Sequence, residues 1–182
     1  MRAILLSLTF LVAASSAATS QTNFTRVGYV RTSNVTDAPQ CVRESLSLKQ
    51  GETDAAMGGV RVTDFIFTNT SSSACTLNGY PRVELLNRKG RVSRRAVNSN
   101  QLPDDSEKMP PRLVTLEPGK TARFRIHYNS GGAGYTGKPC PTYPKVRVLA
   151  PGVTRPFVLR SDIQSCPKTD YQVSSVRSGT SQ

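Results

Sequence analysis

The sequence has no tryptophan, one histidine, three methionines, and half as many acidic residues (12) as lysines and arginines (24). Each scarcity narrows the function. Without tryptophan, with aromatics at 7% and mostly on inward positions, and with no recognised motif, nucleic acid is disfavoured as a partner even at a pI near 10.1. A single histidine, His127, and no Cys-x-x-Cys spacing argue against a zinc site. Nucleophile motifs of the Gly-x-Ser-x-Gly or Ser-x-x-Lys kind are missing. Gly131, Gly132 and Gly134 precede no helix, so they do not form a phosphate-cradling loop. Asp104, Asp105 and Glu107 are followed by Lys108 and lack calcium-loop spacing, so they read as a solvated loop. The remaining candidate for proton transfer at neutral pH is His127, which alternates with Arg123 and Arg125. The expectation is a protein that is not an enzyme and that holds neither cofactor nor metal.

Long apolar runs are also scarce. The one at residues 3–14 follows Arg2 and precedes the small residues Ser15, Ser16, Ala17 and Ala18, the three-part form of a secretory signal. At about 12 residues it falls short of the roughly 20 that span a bilayer, so no transmembrane anchor is expected after processing. No cysteine follows it until Cys41, which argues against a lipid tether and for release into the periplasm or the medium. The expected organisation is a signal peptide over 1–20, a polar linker or edge strand over 21–40, one β domain over 41–177, and a flexible tail over 178–182. About 160 residues would remain after cleavage, enough for one core.

Cys41, Cys75, Cys140 and Cys166 all survive such processing, and an even count in an exported chain implies two disulfides. Three connectivities are open. Cys41 with Cys75 and Cys140 with Cys166 is favoured, because each pair brackets a short run of strands, and each closure stabilises by about 3.5 kcal/mol on the chain-entropy account.

From Cys41 onward the pattern is strand, turn, strand, with no amphipathic helix. Residues 45–49 alternate. Residues 60–69 do so with a slip, since Val60 and Val62 share one face while Phe65 and Phe67 share the other. A bulge at Thr63 and Asp64 would bring all four to one core. The residues Cys75 to Pro81 end that run in a tight turn, with Gly79 supplying a positive φ and Leu77 and Tyr80 turned inward. Gly90 closes a hairpin between residues 82–87 and 91–97, and Pro118 with Gly119 predicts a type II turn into residues 121–128. There Ala122, Phe124, Ile126 and Tyr128 face one way and Arg123, Arg125 and His127 the other. A last hairpin joins residues 145–149 and 155–160, and residues 171–176 form a terminal strand. About eight or nine short strands at this spacing predict an all-β antiparallel sandwich. Triplets beginning at Asn23, Asn34 and Asn69 match the N-glycosylation pattern.

Several of these residues resemble a known family. Phe67 to Thr70, Cys75 to Pro81, Val83 to Leu86, and Leu116, Glu117, Pro118 and Gly119 with Ala122, together with outer cysteines at 41, 140 and 166, resemble the bacterial domain of unknown function 4232. The likeness runs from about Cys41 to Val176. It implies an exported, disulfide-bearing domain with an immunoglobulin-like fold and no established reaction. Many members are lipoproteins, and this chain departs from those in lacking a lipid-accepting cysteine.

Charge is the strongest functional signal. A net charge of +12 attracts polyanions. Arg82, Arg88, Lys89, Arg91, Arg94 and Arg95 gather around one hairpin. Arg123, Arg125, His127, Lys145 and Arg147 take the outward register of two strands, which would form one basic sheet face if those strands are neighbours. The first reading is an exported non-catalytic module that binds or associates, its partner another exported protein or an unidentified ligand. The alternative is a basic domain attached electrostatically to anionic envelope polymers or lipid head groups. A protease inhibitor presenting the loop 130–141, or a small hydrolase, is the third.

Overall fold

Apolar and polar residues alternating at period two can bury one face of a strand and leave the other wet, and that rule builds nearly all of this structure. The computed structural model describes residues 38–103, 105–132 and 136–179. The expected signal peptide over 1–20, residues 21–37 with the acceptors Asn23 and Asn34, Asp104, residues 133–135 and the last three residues lie outside the described residues. In chain order the strands are β1 (Leu46–Ala55), β2 (Val60–Asn69), β3 (Cys75–Leu77), β4 (Arg82–Leu86), β5 (Val92–Arg95), β6 (Val97–Asn98), β7 (Val114–Leu116), β8 (Thr121–Asn129), β9 (Thr142–Leu149), β10 (Phe157–Gln164), β11 (Tyr171–Val173) and β12 (Arg177–Ser178). The described helical elements are two 3-10 turns, Arg43–Ser45 and Met57–Gly59. Among the described residues no helix is long and apolar enough to cross a membrane.

The strands form a larger sheet in the order β1-β2-β8-β11-β6, with β12 also paired to β8, a second sheet in the order β10-β9-β4-β5, and a small pair, β3-β7. Among the described residues twelve strands replace the eight or nine expected, because the terminal strand stops at Val173 and the short β12 follows it, and because two-residue pieces such as β6 carry no sequence period. One pairing departs from the antiparallel expectation: β6 runs parallel to β11. Both large sheets are open at their edges.

Inward residues of both sheets meet in one apolar core. Phe65 stacks on Phe124 at 5.2 Å between ring centroids, and Phe67 reaches Phe157 on the second sheet at 5.8 Å. Side chains of this size each contribute about 1.5–3 kcal/mol by leaving water. Cys41 is joined to Cys75 and Cys140 to Cys166.

The turns form where the residues allow. Gly79, Gly90 and Gly119 have φ of 114°, 74° and 75°, a region that side chains with a Cβ avoid. The slip in β2 is resolved differently from the expectation. β2 pairs with β8 without interruption, and the irregularity falls in β1, where Gly51 and Glu52 together oppose Asp64. Thr63, Phe65, Phe67 and Asn69 therefore face the core, while Val62 is buried on the opposite face beside His127. Leu77 is buried as expected; Tyr80 is only half-buried, at the rim of a groove. Asn69 is no surface acceptor. It is fully buried, its amide donating to Ser73 O and Leu116 O at 2.8 Å each.

Candidate functional site

The basic residues do not lie on one sheet. Strand β8, carrying Arg123, Arg125 and His127, is in the larger sheet, and β9, carrying Lys145 and Arg147, is in the second, so the single basic face expected across them does not exist. Alternation sets which side a residue faces but says nothing of which sheet its strand joins.

Instead, Lys145 and Arg147 meet the other cluster. Register aligns two rows on the outer face of the second sheet: Val158, Arg147, Glu84 and Arg95 in one, and Arg160, Lys145, Leu86 and Val92 in the next. Val83, Leu85, Val146 and Val148 point the opposite way into the core and fix this face outward. Arg88, Lys89 and Arg91 are exposed at the β4–β5 turn, shaped by the Asn87 Oδ1, which accepts from the Lys89 and Arg91 amides. Arg160 belongs to the face and was not among the sequence candidates. Its signal was available, since it alternates with Leu159 in the last hairpin.

One acid interrupts these rows. Glu84 is 2% exposed, and Arg147 Nε donates to its Oε2 at 2.6 Å while Arg95 Nε donates to its Oε1 at 2.9 Å. Arg82 lies 3.9 Å from the same oxygen. Burial by itself would raise the Glu84 carboxyl, but the hydrogen bonds and charges of Arg147 and Arg95 outweigh it and hold the group below its ordinary value. The carboxylate thus fixes its neighbours in place while leaving the face cationic. Beside it Tyr80, Arg82, Arg95, Ala96, Val97 and Asn98 line an open groove of about 450 Å³.

Arg94 is not part of this face. It pairs with Leu85 and turns inward, donating from Nη1 to Ser165 Oγ at 2.5 Å and Cys166 O at 2.6 Å, and from Nη2 to Thr169 O at 2.6 Å. Its guanidinium lies over the Tyr171 ring, 5.2 Å from the centroid. Burial lowers its pKa, and three fixed acceptors make it a structural pin rather than a ligand contact.

On the larger sheet, the segment between β6 and β7 is exposed along most of its length, Glu107 and Lys108 included, as expected of a solvated loop, but it is anchored at two points. Its Leu102 is fully buried, and the Asp105 carboxylate pairs with Arg125 while accepting from the Leu102 amide at 2.9 Å. His127 is 5% exposed on the same face of β8 as Arg123 and Arg125. Among the described residues no group of three or more His, Cys, Asp and Glu side chains is placed to hold a metal.

A family model described as "Domain of unknown function (DUF4232)" matches residues 41–182. The chain belongs to the DUF4232 family. No curated protein matches it in sequence. Similar solved structures include a β-glucosidase from Kluyveromyces marxianus, 14% identical with a TM-score of 0.30, covering 71% of this chain and 15% of that one. The same enzyme in complex with glucose is 15% identical with a TM-score of 0.32 over the same shares. A β-glucosidase from Listeria innocua in complex with gluconolactone is 14% identical with a TM-score of 0.27, covering 75% of this chain and 16% of that one. This DUF4232 chain spans less than a fifth of those proteins, and likeness at that level carries no argument about its activity.

Proposed function

We propose that this DUF4232 chain is an exported, non-catalytic binding module with an immunoglobulin-like arrangement of its two sheets, and that it attaches to anionic cell-envelope polymers through the outer face of β10-β9-β4-β5. One observation carries the reading: Arg82, Arg95, Lys145, Arg147 and Arg160 share that face, and the single carboxylate in its rows, Glu84, is buried and already paired. Charge fixed on a sheet attracts a flexible polyanion through many weak contacts, each screened by salt.

Export is supported by the two disulfides, which persist in oxidising compartments, and by the signal-like pattern of residues 1–20. The non-catalytic reading is supported by the burial of His127 and by the engagement of Asp105 with Arg125.

Retention on immobilised heparin tests the attachment. The intact domain is expected to bind at low salt and elute as salt rises, and a variant combining Lys145→Gln, Arg147→Gln and Arg160→Gln to elute markedly earlier. Flow-through of the unaltered domain at low salt would sink the proposal.

A further inference from the structure

Arg123 on β8 and Arg177 on β12 are direct cross-strand partners, so two guanidinium groups occupy adjacent positions on one face, an arrangement that repels. Burial, and after it the positive charge of Arg112, lowers the pKa of Arg177, so a third arginine is close by. Among the described residues no carboxylate lies within ion-pair distance of Arg112, Arg123 or Arg177; Asp105 of the adjoining loop pairs with Arg125. Arg177 donates from Nη2 to Met109 O, while its Nε–H is buried without an acceptor. A buried donor left unpaired keeps its full desolvation penalty, so what completes it stabilises the fold. Arg123 and Arg177 border a cavity of about 160 Å³ lined also by Met109, Phe124, Arg125 and Ser174.

We propose that this cavity is a binding site for one phosphate- or sulfate-type oxyanion, clasped between Arg123 and Arg177 on the larger sheet. The volume suits a single acidic group, since sites for drug-sized ligands begin at about 300 Å³. A tetrahedral anion accepts from the idle Arg177 Nε–H and from the Arg123 fork at once, and its negative charge removes the repulsion between the two strands. The site is on the other sheet from the face assigned to polymer attachment, so the two stand or fall separately.

Thermal unfolding of the intact protein in sodium phosphate, compared with sodium chloride at matched ionic strength, tests it. The expected result is a saturable rise in Tm with phosphate. Arg123→Gln and Arg177→Gln each weaken phosphate binding at least about tenfold by removing a charge-assisted donor set. Arg123 makes no ion pair among the described residues, so Arg123→Gln is expected to fold and, in chloride, to unfold no earlier than the unaltered chain. Arg147→Gln, on the other sheet, retains the phosphate response. A parallel arm with glycerol phosphate separates the sources: a larger shift than with inorganic phosphate marks a phosphate ester as the ligand, and a smaller one marks the free ion. Equal Tm in phosphate and chloride, or a full phosphate response in Arg123→Gln, overturns the proposal.

Discussion

Glu84 and Arg147 stand directly opposite each other on β4 and β9, and the side-chain bond between them is 2.6 Å long. Both belong to the cationic face, yet they act in opposite senses there, one supplying charge and the other restraining it. Glu84→Gln is therefore expected to have two effects. Stability falls by about 1–2 kcal/mol, a modest figure because the arginines around Glu84 are partly exposed and screened. Heparin elution moves to higher salt, since the two aligned rows lose their one negative group. Urea unfolding and a salt gradient measure the two effects.

The same carboxylate sets an acid dependence. Its folded pKa is below the unfolded value, so its contribution is fully present above the unfolded value and disappears as pH falls toward the folded one. Unfolding midpoints measured downward through the carboxylate range are expected to fall less steeply in Glu84→Gln than in the unaltered chain.

Arg94 predicts a different outcome. Replacement by alanine removes the guanidinium donor from Ser165 Oγ and Thr169 O and leaves Cys166 O with the Thr169 hydroxyl as its donor, and it is expected to cost about 2–3 kcal/mol. Arg94→Lys rescues only part of this, because an ammonium cannot reproduce the planar fork. Heparin retention is unchanged in both variants, which separates Arg94 from the charged face it was grouped with.

Asn69 carries the third test. Its amide donates to two carbonyls and its Oδ1 accepts from the Ser71 amide at 3.0 Å, so Asn69→Ala is expected to cost about 2–4 kcal/mol in a urea titration. Mass spectrometry of protein made in a glycosylating host is expected to show Asn69 unmodified.

How much of this was legible depended on the range of the interaction. The Pro118 and Gly119 turn, the Gly90 hairpin and the alternation from Ala122 to Tyr128 are set by neighbours within a few residues, and all are present in the structure. Sheet membership is a long-range matter, and no local pattern told that β8 and β9 part company. Arg94 and Arg95 show the same limit at the scale of two residues. One must point inward in any strand, but two arginines in succession do not reveal which. The loop after β6 is exposed along most of its length, as its polarity suggested; its anchoring through Leu102 and Asp105 depends on Arg125 of β8, a partner that no local pattern names.

Cys140 precedes β9 and Cys166 follows β10, so the bridge closes the base of the hairpin that carries Lys145, Arg147 and Arg160. A protease cutting the turn at its far end would leave both arms covalently held, and the two pieces would separate on a gel only after reduction. In an oxidising compartment, where the bridge persists, the cationic surface can thus outlast a break in its own backbone.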